Sequence, residues 1–164
     1  METMSMYVAT EVRDSKIFGK GLFAIQPIKR GTILCFFPIG AQVITETRFL
    51  QAVKENDRAI VRTATRLAGK YYTIGNEPEP YTFLNHSFTP NLLCHMGVVL
   101  ARRAIEAQEE LTLDYRTLID DSDVGVYCDA ASGREIRGFG AKQTLLRTAA
   151  ELTDILKDID DWQG

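Results

Sequence analysis

What most constrains the fold of this chain is the length of its apolar runs, because glycine and proline cut nearly every one of them to strand length. Leu22-Phe23-Ala24-Ile25 follows Gly19 and Gly21 and stops before Pro27, and Thr32-Ile33-Leu34-Cys35-Phe36-Phe37 lies between Gly31 and the pair Pro38 and Gly40. Runs this short, bounded by residues that set turns, form strands in preference to helices. Residues 7–13 alternate apolar and polar side chains with β-branched character. Lys70-Tyr71-Tyr72-Thr73-Ile74 is rich in strand formers, ends at Gly75-Asn76, and is followed by Glu77-Pro78-Glu79-Pro80, which cannot continue a sheet. Residues 91–100 and 111–115 supply two further short strands. The stretch 45–68 reads as helix and loop, started at Thr45-Glu46-Thr47 and broken at Asn56-Asp57. Only residues 141–162 place apolar side chains, among them Leu145, Leu146, Ala149, Leu152, Ile155 and Leu156, at the three- and four-residue steps of an amphipathic helix. The expected class is a mostly β domain with a C-terminal helix.

With 164 residues and 45% apolar composition the chain can bury the core of one domain without help from metals or disulfides. Cys35, Cys94 and Cys128 are odd in number and irregularly spaced, which speaks for a reducing compartment, and they cannot assemble a zinc site alone. A formal net charge of -3 lacks the basic footprint of a nucleic-acid binder and suits a cationic partner. No apolar stretch is long enough to span a bilayer, so the chain is expected to be soluble and intracellular, in cytoplasm or nucleus.

Three strings carry possible chemistry. Gly19-Lys20-Gly21 lets backbone approach a ligand closely, but it lacks the third glycine of a dinucleotide fingerprint and reads alone as a turn. Asn85-His86-Ser87-Phe88-Thr89-Pro90-Asn91 concentrates hydrogen-bonding side chains in a turn between apolar runs, where an ordinary polar turn is the plain alternative. Glu109-Glu110-Leu111-Thr112-Leu113-Asp114-Tyr115 is a half-buried strand whose last tyrosine, taken singly, is a core residue with a satisfied hydroxyl. Only two histidines, His86 and His95, are available, which leaves metal sites and triads short of members.

Taken together and in this order, the strings resemble the SET-domain protein lysine methyltransferases. Gly19-Lys20-Gly21-Leu22-Phe23-Ala24 with Ile28 and Gly31 resembles the start of that domain. Phe83-Leu84-Asn85-His86-Ser87 with Pro90-Asn91 resembles its signature segment, and Ala101-Arg102-Arg103-Ala104-Ile105 through Tyr115 its final catalytic strand. The likeness covers residues 7–115, which places the SET domain at 1–118 and a degenerate tail with the C-terminal helix at 119–164.

The resemblance implies small curved sheets around a knot-like crossing. S-adenosylmethionine would lie on one face, against Lys20, Gly21, Leu22, Asn85 and His86. A lysine of a protein or peptide would enter from the other face, beside Tyr115 as the catalytic group. Asp114 is read as structural. Tyr72, Leu113 and Phe139 are the expected substrate-side residues; of the neighbours Tyr71 and Tyr72, which point to opposite sides of a strand, Tyr72 is favoured.

Many relatives carry a zinc-binding cysteine after the Asn-His-Ser string and three more in the tail. Here Phe88 takes the first place, and Cys128, Ala130 and Ile136-Arg137-Gly138 resemble a degraded form of the rest. The tail is therefore expected to hold no metal and to be anchored by apolar packing of the helix after Phe139. A SET-fold module that binds a peptide or S-adenosylmethionine without transfer is the alternative. A monomer or a homodimer fits either reading.

Overall fold

The computed structural model describes residues 6–37, 42–75, 79–119 and 127–160. Among these residues ten short strands and three α-helices succeed one another in the order β1 Thr10–Asp14, β2 Lys20–Ala24, β3 Ile33–Phe36, β4 Gln42–Thr45, α1 Glu46–Glu55, α2 Arg58–Thr63, β5 Ala64–Ala68, β6 Tyr71–Ile74, β7 Asn85–His86, β8 Leu92–His95, β9 Val98–Ala101, β10 Glu110–Leu113 and α3 Ala141–Lys157. The strands form three small sheets, ordered β1-β2-β10-β7, β3-β9-β8 and β4-β6-β5. This is the mostly β architecture with a C-terminal helix that the run lengths require. Among the described residues no helix is long and apolar enough to cross a membrane.

The four-stranded sheet positions the site. β10 lies between two segments far from it in the chain, antiparallel to β2 through Glu110↔Phe23 and Leu111↔Leu22, and parallel to β7 through Thr112↔Asn85 and Leu113↔His86. Leu22, Leu111 and Leu113 are buried in one cluster with Leu34, Leu84, Leu92 and Ile105. Burying side chains of this size stabilises by about 1.5–3 kcal/mol each, so the core holds the three motif segments together.

Local chemistry fixes the helices. Thr45 caps α1 by accepting from the Arg48 N–H at 3.3 Å, Asn56 ends it in the left-handed region at φ 54°, and Asp57 starts α2 by accepting from the Ile60 N–H at 3.3 Å. The break expected at Asn56-Asp57 is where the chain turns. α3 docks on the second sheet, with Ile155, Leu152 and Ile159 against Leu93, Leu100, Ile33 and Val98. The His95 ring bonds the buried Thr148 hydroxyl at 2.8 Å, and Arg102 pairs with Glu151.

Four expectations about elements need correction. The first strand is Thr10–Asp14 and not 7–13; Tyr7 instead donates its N–H to the Leu34 carbonyl. Residues 91–100 form no single strand but the hairpin β8–β9, reversed at Met96 and Gly97 with φ of 50° and 85°. A two-residue hairpin turn with positive φ at both positions favours asparagine, aspartate or glycine at the first, and methionine gives no such signal in sequence. The end of the 45–68 stretch is strand β5, drawn into extended form by pairing with β6 and not by its own weak alternation. The last strand stops at Leu113; Asp114 caps a 3₁₀ turn at Tyr115–Thr117 by accepting from the Arg116 N–H at 3.0 Å. Pro38, Gly40, Asn76, Glu77, Pro78 and the helix end at 161–162 lie outside the described residues.

Candidate active site

Asn85 is the joint between the three motifs. Its side-chain amide divides two N–H hydrogens among the carbonyls of Phe18 (3.1 Å) and Lys20 (3.0 Å) and the Glu110 carboxylate (2.8 Å). Glycine turn, β7 and β10 are thus tied at one side chain. Lys20 itself points to solvent and pairs with Asp14, so only its backbone carbonyl meets Asn85, and the Leu22 side chain is fully buried.

His86, only 6% exposed, continues the tie to the last turn. Its Nδ1 accepts the Tyr115 N–H at 3.1 Å, which makes the ring neutral with its proton on Nε2. Burial holds its pKa below the ordinary imidazole value, and Arg116 pushes the same way, against the opposing pull of Asp114 and Asp129. The Tyr115 ring lies 5.4 Å from that of His86, and its hydroxyl donates to the Leu84 carbonyl at 2.6 Å. Burial, with a smaller contribution from Tyr127, pushes the phenol up to about 12. Tyr115 is therefore a neutral hydroxyl whose proton is already committed to a main-chain carbonyl.

The depressed His86 has a measurable consequence. A free imidazole titrates near ~6.5, so on acidification the unfolded chain takes up this proton before the folded one. The stability that neutral His86 contributes is complete above about pH 6.5 and is lost as the pH falls through its lower folded value. Burial lowers His95 as well and adds a change of the same sign. Thermal melts between about pH 8 and pH 5, where most carboxylates stay ionised, should show a falling Tm. His86→Asn, which keeps an acceptor for the Tyr115 N–H without a titrating ring, should flatten part of the slope; an unchanged slope in that variant contradicts the assignment.

The SET domain family model matches residues 19–116, from the glycine turn through the residue after Tyr115. The chain belongs to the SET-domain family. Proteins of this family commonly carry S-adenosylmethionine-dependent lysine methyltransferase activity. A comparison with curated proteins found no match.

The remaining expected residues of this SET domain lie around that centre at different distances. Leu113 is buried in the main core beside His86, and its carbonyl accepts the Ser87 N–H at 3.0 Å. Tyr71 and Tyr72 do point to opposite sides, 56% and 7% exposed. Tyr72 belongs to the third sheet, stacked on Phe49 with ring centroids 4.5 Å apart, and its hydroxyl accepts from Arg66 at 3.2 Å. Arg66 in turn lines a narrow cleft with Cys94, Thr117 and Leu118, just past Tyr115. The tail aromatic that meets the Tyr115 ring is Tyr127, at 6.3 Å and edge-on, which sequence reasoning did not single out.

Phe139 holds a different position. Its N–H donates to the Arg116 carbonyl at 2.8 Å, and its ring takes the guanidiniums of Arg116 (5.0 Å) and Arg147 (4.4 Å). Phe88 likewise takes Arg116 (4.9 Å) and Arg134 (4.6 Å). Arg116 is oriented by a two-pronged bond to Asp114, at 2.7 Å and 2.9 Å. The order Arg134, Phe88, Arg116, Phe139, Arg147 is a continuous cation–π ladder joining the tail to the signature segment and to α3. Each exposed rung is worth roughly 0.5–1 kcal/mol. Apolar packing of α3 was expected to anchor the tail; these arginines anchor it too, and Phe88 is one of their two rings. Among the described residues no group of three or more His, Cys, Asp or Glu side chains is placed to hold a metal ion.

Proposed function

We propose that this SET domain transfers methyl groups from S-adenosylmethionine to the side-chain amine of a lysine in a protein or peptide. The observation that carries the reading is Tyr115. Its neutral hydroxyl is half-buried, committed as a donor to Leu84, and fixed through its own backbone to His86. The site also fits the methyl donor at one particular atom. Nε2 of His86 bears a proton, is buried, and has no partner among the described residues, so it calls for an acceptor from a bound ligand.

S-adenosylmethionine supplies a methyl group activated on a positively charged sulfur. The protein's task is then orientation and desolvation. The backbone at Lys20, Gly21 and Leu22, with Asn85 and His86, would hold the donor. The Tyr115 oxygen would accept weak hydrogen bonds from an amine and a methyl group brought into line, and a phenol lifted to about 12 is not a base that ionises near neutral pH. A lysine amine, ordinarily near ~10.4, is driven toward its neutral form by the same burial. Leu113 and Phe139, with Tyr72 reaching through Arg66, form the substrate side. The acidic chain suits a basic peptide, as a monomer or a homodimer in cytoplasm or nucleus.

A binding module without transfer is the second reading, favoured by the engagement of the Tyr72 hydroxyl with its cross-strand partner Arg66, within the third sheet and not the sheet that carries Asn85 and His86. Calorimetric titration with S-adenosylmethionine, followed by radiolabelled methyl transfer to proteins of the host, separates the two. Binding with label on lysine is expected. Binding without label supports the module, and no binding overturns both uses of the cofactor.

A further inference from the structure

Glu110 begins the final strand but sends its carboxylate toward the glycine turn. Both of its oxygens accept from the Ser15 hydroxyl, at 2.7 and 2.9 Å, and Oε1 also accepts from the Asn85 amide at 2.8 Å. Ser15 passes the restraint on, its oxygen accepting the N–H groups of Ile17 at 2.8 Å and Phe18 at 3.3 Å. The same Asn85 amide reaches the carbonyls of Phe18 and Lys20. Residues 15–20 are therefore held from both ends by one carboxylate, which lies 95 residues from Ser15 and 25 from Asn85.

Gly21 shows the same arrangement from the other side. A Cβ there would stand 2.3 Å from Glu110 Oε1, 2.8 Å from its Cδ and 3.0 Å from Ser15 Cβ. The missing side chain at position 21 leaves the space that the carboxylate fills.

We propose that Glu110 is a positioning residue for S-adenosylmethionine. It touches no reacting atom; it fastens the turn 15–20, through Ser15 and Asn85, into the shape whose backbone meets the methyl donor. This rests on the function proposed above. Charge-assisted hydrogen bonds in a partly buried site are the strong ones, so their loss should free the turn without disturbing the apolar core.

The test uses the full chain with Glu110→Ala, Glu110→Gln and Ser15→Ala, titrated calorimetrically with S-adenosylmethionine. Affinity should fall about 10- to 100-fold in Glu110→Ala and less in the other two, which keep part of the network. Hydrogen exchange without ligand should accelerate at Ile17 and Phe18 while the amides of Leu111 and Val99 stay protected. A general loss of stability would speed all four alike and would overturn the assignment. Gly21→Ala should weaken binding in the wild-type background and have a smaller further effect beside Glu110→Ala, because the two atoms it strikes hardest are then gone and only the Ser15 Cβ at 3.0 Å remains. Equal effects in both backgrounds overturn the inference. Should Glu110→Ala fail to fold, Ser15→Ala and Glu110→Gln carry the same comparison. If the wild-type chain takes no S-adenosylmethionine, the proposed function falls, and the exchange at Ile17 and Phe18 still decides whether Glu110 holds the turn.

Discussion

Tyr115→Phe is expected to lower methyl transfer about 10²- to 10³-fold while leaving S-adenosylmethionine binding nearly unchanged, the signature of a group that acts mainly in the transition state. The reason lies in how little else the hydroxyl does. The ring stays where His86 and Tyr127 hold it, and the backbone N–H still donates to His86 Nδ1. The one bond lost is that to the Leu84 carbonyl, a cost in stability of about 1 kcal/mol. A single-turnover measurement with bound S-adenosylmethionine and excess substrate separates chemistry from binding. Equal rates for the two proteins would remove Tyr115 from the mechanism; a large fall in cofactor affinity would make it a structural residue of the donor site.

The meeting of Tyr115 with Asn85, His86 and the glycine turn was legible in sequence because each stands at a fixed place in an ordered set of short strings. The strands between glycines and the caps at Thr45, Asn56 and Asp57 were legible for a more local reason, since each is decided by a few neighbouring residues. What escaped was decided at long range. β5 is a strand only because β6 lies beside it, and the Met96-Gly97 turn is imposed by the pairing of β8 with β9. Glu110 and Thr112 look in sequence like the solvent side of an alternating strand. In the fold both side chains turn to partners: Ser15 and Asn85 for Glu110, Asn91 for Thr112. Arg134 and Arg147 read as ordinary surface charges until Phe88 and Phe139 are placed beneath them.

Asn91→Leu, the second large effect, should destabilise the domain by about 3–5 kcal/mol although leucine has nearly the shape of asparagine. Asn91 is 2% exposed. Its Oδ1 accepts the Thr112 N–H at 2.8 Å, and its Nδ2 donates to the Glu110 carbonyl at 2.8 Å and to the Glu109 carboxylate at 3.0 Å. One side-chain amide therefore reproduces the donor and acceptor of a peptide group against β10, extending the strand's hydrogen bonding where no backbone is available. Leucine would leave a buried N–H and a carbonyl without partners, each costing about 1–3 kcal/mol. Urea denaturation should show a lower midpoint at an unchanged slope, because the surface exposed on unfolding stays the same. Asn91→Asp should not rescue it: the acceptor for Thr112 survives, but an oxygen then faces the Glu110 carbonyl and the Glu109 carboxylate. A loss below about 1 kcal/mol in Asn91→Leu would mean that β10 keeps its register without the amide. The register at Thr112 sets where Leu113 meets His86, and so where the chain delivers Tyr115.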